Sequence, residues 1–309
     1  MKNYFNFNLT GKKLLPIWLL FLVFFMAPYV TMITQMKNLQ AGNSPSMLLL
    51  PVLLLLIIVS FLFIFYIAKY SIESVVFKGI AFEFKGTLGT FIGKVLLGLL
   101  LSIVTFGIYL AWFVKDIQSF FVDNSSYNSQ SFSFRGQGGN LFVIFLLSLI
   151  LPMFLFVIVM TIFLMNNMQN IAFFMIIQQV VIIVIMIPYM YYVYKWMVNV
   201  NYKDYNIRWE TNFWESCGKI ALEILLSIIT LGIYMPLAML RLFKFFAGKT
   251  KAVALDRKLN FGFEIDQLND FLFIWGQLLL TIITLGIYYP WAFCKIGKRI
   301  LSKTYLEVE

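Results

Sequence analysis

The 309-residue chain contains no histidine. That removes imidazole as a metal ligand, as the base of a Ser-His or Cys-His pair, and as a pH switch near neutrality. Cysteine is almost as scarce. Cys217 and Cys294 stand apart without C-x-x-C spacing, so they support neither a metal site nor a disulfide framework and read as inert buried thiols. No glycine-rich phosphate loop, dinucleotide fingerprint or G-x-S-x-G elbow occurs. Since no nucleophile, base and orienting group can be assembled, neither an enzyme nor a bound cofactor or metal is expected. Charge is scarce as well: 12% of residues are charged, against about 25% in ordinary soluble domains.

What is present is apolar. Hydrophobic residues make up 61% of the chain and the mean hydropathy is +0.86. A soluble fold of this length could not cover that much apolar surface, so the chain reads as an integral membrane protein. The net charge of +10 then reads as topology signals and contacts to anionic lipid rather than as a nucleic-acid surface. Four runs are long enough to cross about 30 Å of hydrocarbon: Leu14 to Ile33, Met47 to Ala68, Leu141 to Leu164, and Ile171 to Tyr194. The first follows Lys2, Lys12 and Lys13 like a secretory signal. It is too long for one and lacks a small-residue cleavage site, so it reads as a retained span. Tyr189, Tyr191, Tyr192, Tyr194 and Trp196 beside Lys195 mark one membrane face.

Three further apolar segments are copies of one another. Aligned on Gly-Ile-Tyr they run from Ser102 through Thr105, Gly107 and Tyr109 to Trp112; from Ser227 through Thr230, Gly232 and Tyr234 to Pro236; and from Thr281 through Thr284, Gly286 and Tyr288 to Pro290 and Trp291. Such an internal repeat is a strong architectural signal. Upstream of the copies, Phe82 and Phe84, Ile207 and Trp209, and Phe261 and Phe263 form equivalent leaders. Degenerate leaders at Phe5 and Phe7 (with Gly11) and at Phe132 and Phe134 (with Gly136) precede the two ordinary pairs of spans.

The T-L-G-I-Y-x-P-W-A core of the third copy, the basic residues Lys295, Lys298 and Arg299 after it, and the recurring F-x-F-x-G leaders resemble the YjgN type of bacterial inner-membrane protein, a domain-of-unknown-function family. The resemblance spans most of the chain from about Phe82 onward and is best in the third copy. The second copy has Leu237 in place of the tryptophan and the first has Ala111 in place of the proline. The resemblance implies a bacterial polytopic inner-membrane protein and brings no biochemical activity with it.

In the Gly-Ile-Tyr-x-Pro motif, glycine can take the left-handed conformation that closes a helix and proline suits the first turn of the next. Helix, break, helix is therefore expected at Thr105, Gly107 and Tyr109; at Thr230, Gly232, Tyr234 and Pro236; and at Thr284, Gly286, Tyr288, Pro290 and Trp291. The limb from Lys219 to Thr230 would reach only about 18 Å, short of a crossing. Each copy either crosses once with a kink, giving seven spans, or enters and returns as a re-entrant hairpin. With seven crossings the Lys and Arg residues, Lys94 and Lys219 left aside, divide almost evenly between the two sides. With re-entrant copies nearly all fall inside, Lys37 being the outlier and Lys94 and Lys219 lying near segment starts, which the positive-inside rule favours. Near-identical copies with equally basic tails are also poor candidates for insertion in opposite senses.

The expected fold is thus an all-α polytopic membrane protein: four ordinary transmembrane helices in two hairpins, three re-entrant broken-helix repeats and short cytoplasmic β-hairpins, with seven kinked transmembrane helices as the alternative. The expected segments are 1–81 (leader and first helix pair), 82–131 (first repeat), 132–200 (second helix pair), 201–249 (second repeat) and 250–309 (β-hairpin, third repeat and basic tail). Both termini are expected on the cytoplasmic side of a bacterial inner membrane.

After each break the chain turns amphipathic. Phe293, Ile296 and Ile300 lie on one side of a helix with Lys295, Lys298, Arg299 and Ser302 on the other, a pattern suited to the lipid interface. Arg241 and Lys244 are the equivalents in the second copy. These cations either meet anionic lipid headgroups or merely fix topology. Thr250 to Leu255 and Leu259 to Ile265, joined by Asp256, Arg257 and Lys258, alternate like two strands of a hairpin, and the Phe-x-Phe leaders either add strands to a small sheet or anchor at the interface.

Ionisable groups within apolar segments point to a partner or a wet cavity. Lys219 and Glu223 share one helical face; Gln277 stands at the equivalent of Glu223 in the third copy and Gly98 in the first, while Lys94 and the pair Gln178 and Gln179 are further polar insertions. They either line a polar pathway with the broken-helix ends, as in transporters, or form a solvated surface pair. Two function classes follow. One is a transporter or channel-like conduit for a small solute, ion or lipid. The other is a non-catalytic scaffold or partner subunit of an envelope complex, which would include a homo-oligomer. No nucleic-acid partner is expected.

Overall fold

The computed structural model describes residues 2–42, 44, 47, 49–166, 171–255 and 257–308. Asp256 of the expected hairpin turn and 167–170 of the uncharged connection between the third and fourth spans lie outside the described residues. Alternating leaders become strands, and each leader is followed by a helix that runs out and a helix that returns. The first unit holds β1 (Lys2–Phe7), α1 (Gly11–Gln40), α2 (Leu49–Ser74) and β2 (Val75–Phe77). The second holds β3 (Ile80–Ala81) and β4 (Glu83–Phe84), then α3 (Leu88–Val104), α4 (Leu110–Asp123) and β5 (Ser125–Tyr127). In the third, β6 (Gln130–Phe134) leads to α5 (Gly138–Phe145), a π-helical turn (Leu146–Ile150), α6 (Leu151–Asn166), α7 (Ile171–Met197) and β7 (Asn199–Tyr202). The fourth is β8 (Tyr205–Trp209), α8 (Phe213–Ile229), α9 (Met235–Gly248) and β9 (Thr250–Val253). The fifth is β10 (Lys258–Phe263), α10 (Gln267–Ile283), α11 (Tyr289–Leu301) and β11 (Thr304–Val308).

The strands correct the all-α expectation. They form one eleven-stranded antiparallel sheet in the order β3-β2-β1-β11-β10-β9-β8-β7-β6-β5-β4. Its two ends, β3 and β4, are separated in the chain by Phe82 alone, so the sheet curls into a nearly closed barrel. The Phe82 amide donates to the Val75 carbonyl, and the Tyr127 hydroxyl donates to the Phe77 carbonyl at 3.0 Å. Isolated hairpins were expected because β9 and β10 alone show adjacent alternating runs. The remaining strand pairs are made by helical hairpins carrying the chain back to the sheet, and β1 joins β11, pairing Lys2 with Glu307. Consecutive units are linked by tight turns whose positive φ angles fall at Lys78, Gly79, Asn128, Ser129 and Lys203, as two-residue hairpin turns require.

The period of two in each leader puts both of its large apolar positions on the same, inner face of the sheet, the first in the lumen and the second at the end nearest the helices. Phe5, Phe82, Phe132, Ile207 and Phe261 line the barrel lumen, an apolar space of about 200 Å³. The second leader positions pack under the helices: Phe7, Phe84, Trp209 and Phe263 are buried, and Phe134 packs edge-on against Trp196. Helices of neighbouring units also touch all round, with α2 on α3, α4 on α5, α7 on α8, α9 on α10 and α11 on α1. Where the second helix of one unit carries a motif tryptophan, the next unit offers glycine: a Cβ on Gly11 would stand 2.6 Å from Trp291, and one on Gly138 2.5 Å from Trp112. Trp291 is therefore a packing residue between units as well as part of the break motif.

Four helices are long and apolar enough to cross a bilayer: Gly11–Gln40, Leu49–Ser74, Gly138–Phe163 and Met175–Met197. Each of the three repeats is a helical hairpin rather than one kinked helix. Their limbs fold back on one another, so that Phe91 at the start of α3 packs on Phe120 near the end of α4, and Arg299 near the end of α11 reaches Asp270 near the start of α10. Their outgoing limbs have 17 residues each, or about 25 Å.

Candidate functional site

The helix breaks share one geometry. Phe106 and Gly107, Leu231 and Gly232, and Leu285 and Gly286 all have positive φ, and the glycine amide donates back to the carbonyl of Ser102, Ser227 or Thr281 at 2.7 to 2.8 Å. This closes the outgoing helix in the manner of a Schellman cap. The hydroxyls of Thr105, Thr230 and Thr284 then accept from the amides of Tyr109, Tyr234 and Tyr288 at 3.0 Å, starting the return helix, and Pro236 and Pro290 sit in its first turn. Two carbonyls of the breaks also accept from the neighbouring unit: the Trp275 indole donates to Ile233 and the Trp18 indole to Gly286, each at 2.9 Å. At the tips Phe106, Leu231 and Leu285 are at least 90% exposed, which places an apolar cap on every short hairpin.

Below each break the motif tyrosine is the pivot of a polar relay. In the fourth unit Lys219 donates to one oxygen of Glu223 at 2.6 Å and Tyr234 to the other at 2.8 Å, while Arg241 donates to the Tyr234 hydroxyl at 2.6 Å. Glu223 is fully buried. In the fifth unit Lys295 donates to Tyr288 and Tyr288 to Gln277, a neutral version of the same relay. In the second unit Gly98 is filled by Phe113, and the Tyr109 hydroxyl turns instead to Asp116 at 3.3 Å. The structure thus joins Lys219, Glu223, Tyr234 and Arg241 in one cluster, and Gln277, Tyr288 and Lys295 in another. Lys94 joins neither and is exposed.

Between the fourth and fifth units the feet of the hairpins open into a basic pocket of about 480 Å³, lined by Lys219, Arg241, Lys244, Lys249 and Gln267. Arg241 also donates to Gln267 at 2.7 Å, and Lys249 pairs with Glu215 at 2.8 Å. Lys244 is exposed and has no ionic or hydrogen-bonded partner among the described residues. The equivalent place in the fifth unit is closed from within, because fully buried Asp270 accepts from Arg299 at 2.7 Å and Lys303 at 2.6 Å. Burial would raise the Asp270 carboxyl, but the hydrogen bonds from Lys303 and Arg299 outweigh it and hold the group below its ordinary value. Lys298 remains exposed.

The apolar side of α11 covers protein rather than lipid: Phe293 packs with Phe7 and Leu14, and Ile296 and Ile300 with Phe263 and Ile274. Sequence reasoning missed Asp270, whose partners lie 29 and 33 residues away, and the capping role of Trp18 and Trp275. Their common distance from the second leader aromatic, 11 to 12 residues, was the available signal. Cys294 is buried, and burial pushes its thiol up to about 11.

A family model described as bacterial protein of unknown function (DUF898) matches residues 2–261. It begins well before Phe82 and stops short of the third copy, so most of the fifth unit lies beyond the matched residues. No curated protein and no solved structure matches the chain.

Proposed function

Since the chain belongs to this family of bacterial proteins of unknown function, a description that carries no activity, we propose from its geometry that it is an inner-membrane protein that handles anionic lipids. The carrying observation is the basic pocket of Lys219, Arg241, Lys244 and Lys249 at the foot of hairpins whose tips are apolar. In this reading the four long helices cross the bilayer, and the three short hairpins re-enter from the barrel side into one leaflet, because an outgoing limb of about 25 Å does not reach across about 30 Å of hydrocarbon. The pocket then lies at headgroup depth. Both termini share one side because β1 and β11 are paired, and the basic turns and tails make that side the cytoplasm.

Lipid is favoured over a solute conduit for two reasons. Both oxygens of Glu223 are already engaged by Lys219 and Tyr234, and the barrel lumen is walled mainly by apolar and aromatic side chains, with Asn3 and Lys78 beside them. The scaffold alternative drew on free strand edges, and the only strands at the ends of the sheet, β3 and β4, have two residues each and adjoin one another. No enzymatic step is part of the proposal.

The test is native mass spectrometry of the purified full chain titrated with phosphatidylglycerol and, separately, phosphatidylcholine. Lys244→Ala should weaken phosphatidylglycerol binding about fivefold, as expected for one lysine near an anionic headgroup, and leave phosphatidylcholine binding alone. An unchanged preference for phosphatidylglycerol in the variant would sink the reading.

A further inference from the structure

Of the five leaders, only that of the fourth unit places tryptophan where Phe7, Phe84, Phe134 and Phe263 stand in the others. Trp209 is 2% exposed, and among the described residues its indole N–H has no hydrogen-bond partner, nor does the side-chain oxygen of Asn206. A buried donor without an acceptor costs on the order of 1–3 kcal/mol, so its placement calls for a bound acceptor. Both residues line a pocket of about 410 Å³ at the junction of the third and fourth units, together with Arg135, Lys195 and Arg208. No carboxylate lines it. Arg208 pairs with Glu210 at 2.6 Å, while among the described residues Arg135 has a 3.5 Å hydrogen bond to Asn201 and Lys195 has no ion pair or hydrogen bond, its ammonium lying 5.7 Å from the Tyr191 ring centroid. Two cations without a carboxylate partner, Arg135 and Lys195, a third, Arg208, shared with Glu210, and a spare N–H describe a site for a phosphate-like group.

The pocket does not end there. Ile144 and Tyr192 form part of its wall and also part of the wall of a second, apolar space of about 540 Å³ that rises between α5–α6 and α7. Leu147, Pro152, Val184 and Pro188 line that groove. It opens where the π-helical turn Leu146–Ile150 interrupts one helix and where Pro188, which has no N–H, leaves the Val184 carbonyl without its helical donor. A polar, cationic chamber sharing a wall with a hydrocarbon-lined groove matches an amphiphile with a negative head and an aliphatic tail.

We propose that the third unit and the leader of the fourth hold one anionic phospholipid, its phosphate against Trp209, Arg135, Lys195 and Arg208 and its acyl chain in the groove between α5–α6 and α7. The site is separate from the Lys244 pocket and stands on different residues. Trp209→Phe installs the residue that the other leaders carry, keeps the packed ring and removes only the donor. In native mass spectrometry of the full chain with phosphatidylglycerol, it should lower the affinity of one bound lipid about tenfold, the loss expected for one hydrogen bond to a charged group, and leave the lipid lost in Lys244→Ala in place.

Leu147→Trp fills the groove without touching the basic chamber. It should remove the same lipid while inorganic phosphate still binds, and it also serves should Trp209→Phe fail to fold. Wild-type lipid binding in both variants would overturn the proposal. So would competition by inorganic phosphate as effective as by phosphatidylglycerol, which would make the ligand a free oxyanion. Loss of both bound lipids in Lys244→Ala would also overturn it, by making the two sites one.

Discussion

The fourth and fifth units are nearly the same hairpin with their charges placed differently. In the fourth, a carboxylate is buried halfway up, where Glu223 meets Lys219 and Tyr234, and the foot stays basic and open. In the fifth, the halfway position holds neutral Gln277 and the carboxylate has moved to the foot, where Asp270 binds Arg299 and Lys303. Ser216, fully buried and bonded to Thr211, stands in the fourth unit where the fifth has Asp270. The break motif therefore sets the shape of a hairpin, and the position of one buried acid decides whether its foot is closed or left able to receive an anion.

The largest effect is expected where the fifth unit neutralises itself. Asp270→Asn removes the carboxylate that pairs with both Arg299 and Lys303, leaving Lys303 only the more distant Glu264 and Asp266 among the described residues. Loss of one partner from a buried pair costs about 3–5 kcal/mol, and because these cations are about a third and a quarter exposed the cost here should be nearer 2–3 kcal/mol. Thermal unfolding of the purified chain in detergent reads it. The same group sets an acid limb. Its folded-state pKa lies below the ordinary 3.8, so its contribution is complete above that value and is lost as pH falls through the lower folded value. Stability should therefore drop below about pH 4, and the drop should be shallower in Asp270→Asn. An identical acid limb in the variant would place the proton uptake elsewhere.

The four long helices were legible because a run of some 20 apolar residues states its own length. The breaks at Gly232 and Gly286 were legible because a glycine able to take positive φ, followed by proline in the next turn, leaves a local signature, and the break at Gly107, where Ala111 replaces the proline, was legible from its likeness to them. The barrel was only half legible. Phe5 and Phe7, or Ile207 and Trp209, show the period of a strand, but which strands pair depends on where each helical hairpin returns the chain, and no local pattern carries that. The bond from Arg299 to Asp270 was hidden for the same reason. The amphipathic face of α11 misled because Phe293, Ile296 and Ile300 look alike whether they meet lipid or, as here, the underside of the sheet and α1.

A middle-sized effect should come from giving the fifth unit the acid of the fourth. Phe273 occupies the place that Lys219 holds in the fourth unit, so a carboxylate introduced by Gln277→Glu would be buried with the Tyr288 hydroxyl as its donor and no lysine on its own limb. A cost of about 2 kcal/mol is expected, and Phe273→Lys in the same chain should recover most of it by rebuilding the pair. Calorimetry of the single and double variants checks this; a double variant no more stable than Gln277→Glu would mean that the two units differ in backbone and not merely in charge.

The smallest effect is expected from the reverse change. Glu223→Gln turns the relay of the fourth unit into the neutral one that the fifth already uses: the amide oxygen can still accept from Tyr234, as Gln277 does from Tyr288, and Lys219, about a third exposed, can turn its ammonium to water. Replacing a buried ion pair by a well-packed neutral group is often close to neutral, so the change in stability should stay under about 1 kcal/mol. What should change is the pocket. Freed from Glu223, Lys219 joins Lys244 in facing the basic space, and phosphatidylglycerol binding at that foot should tighten while the site at Trp209 is unaffected. A large loss of stability would instead show that the Glu223 charge, and not the shape shared with the fifth unit, holds the fourth hairpin together.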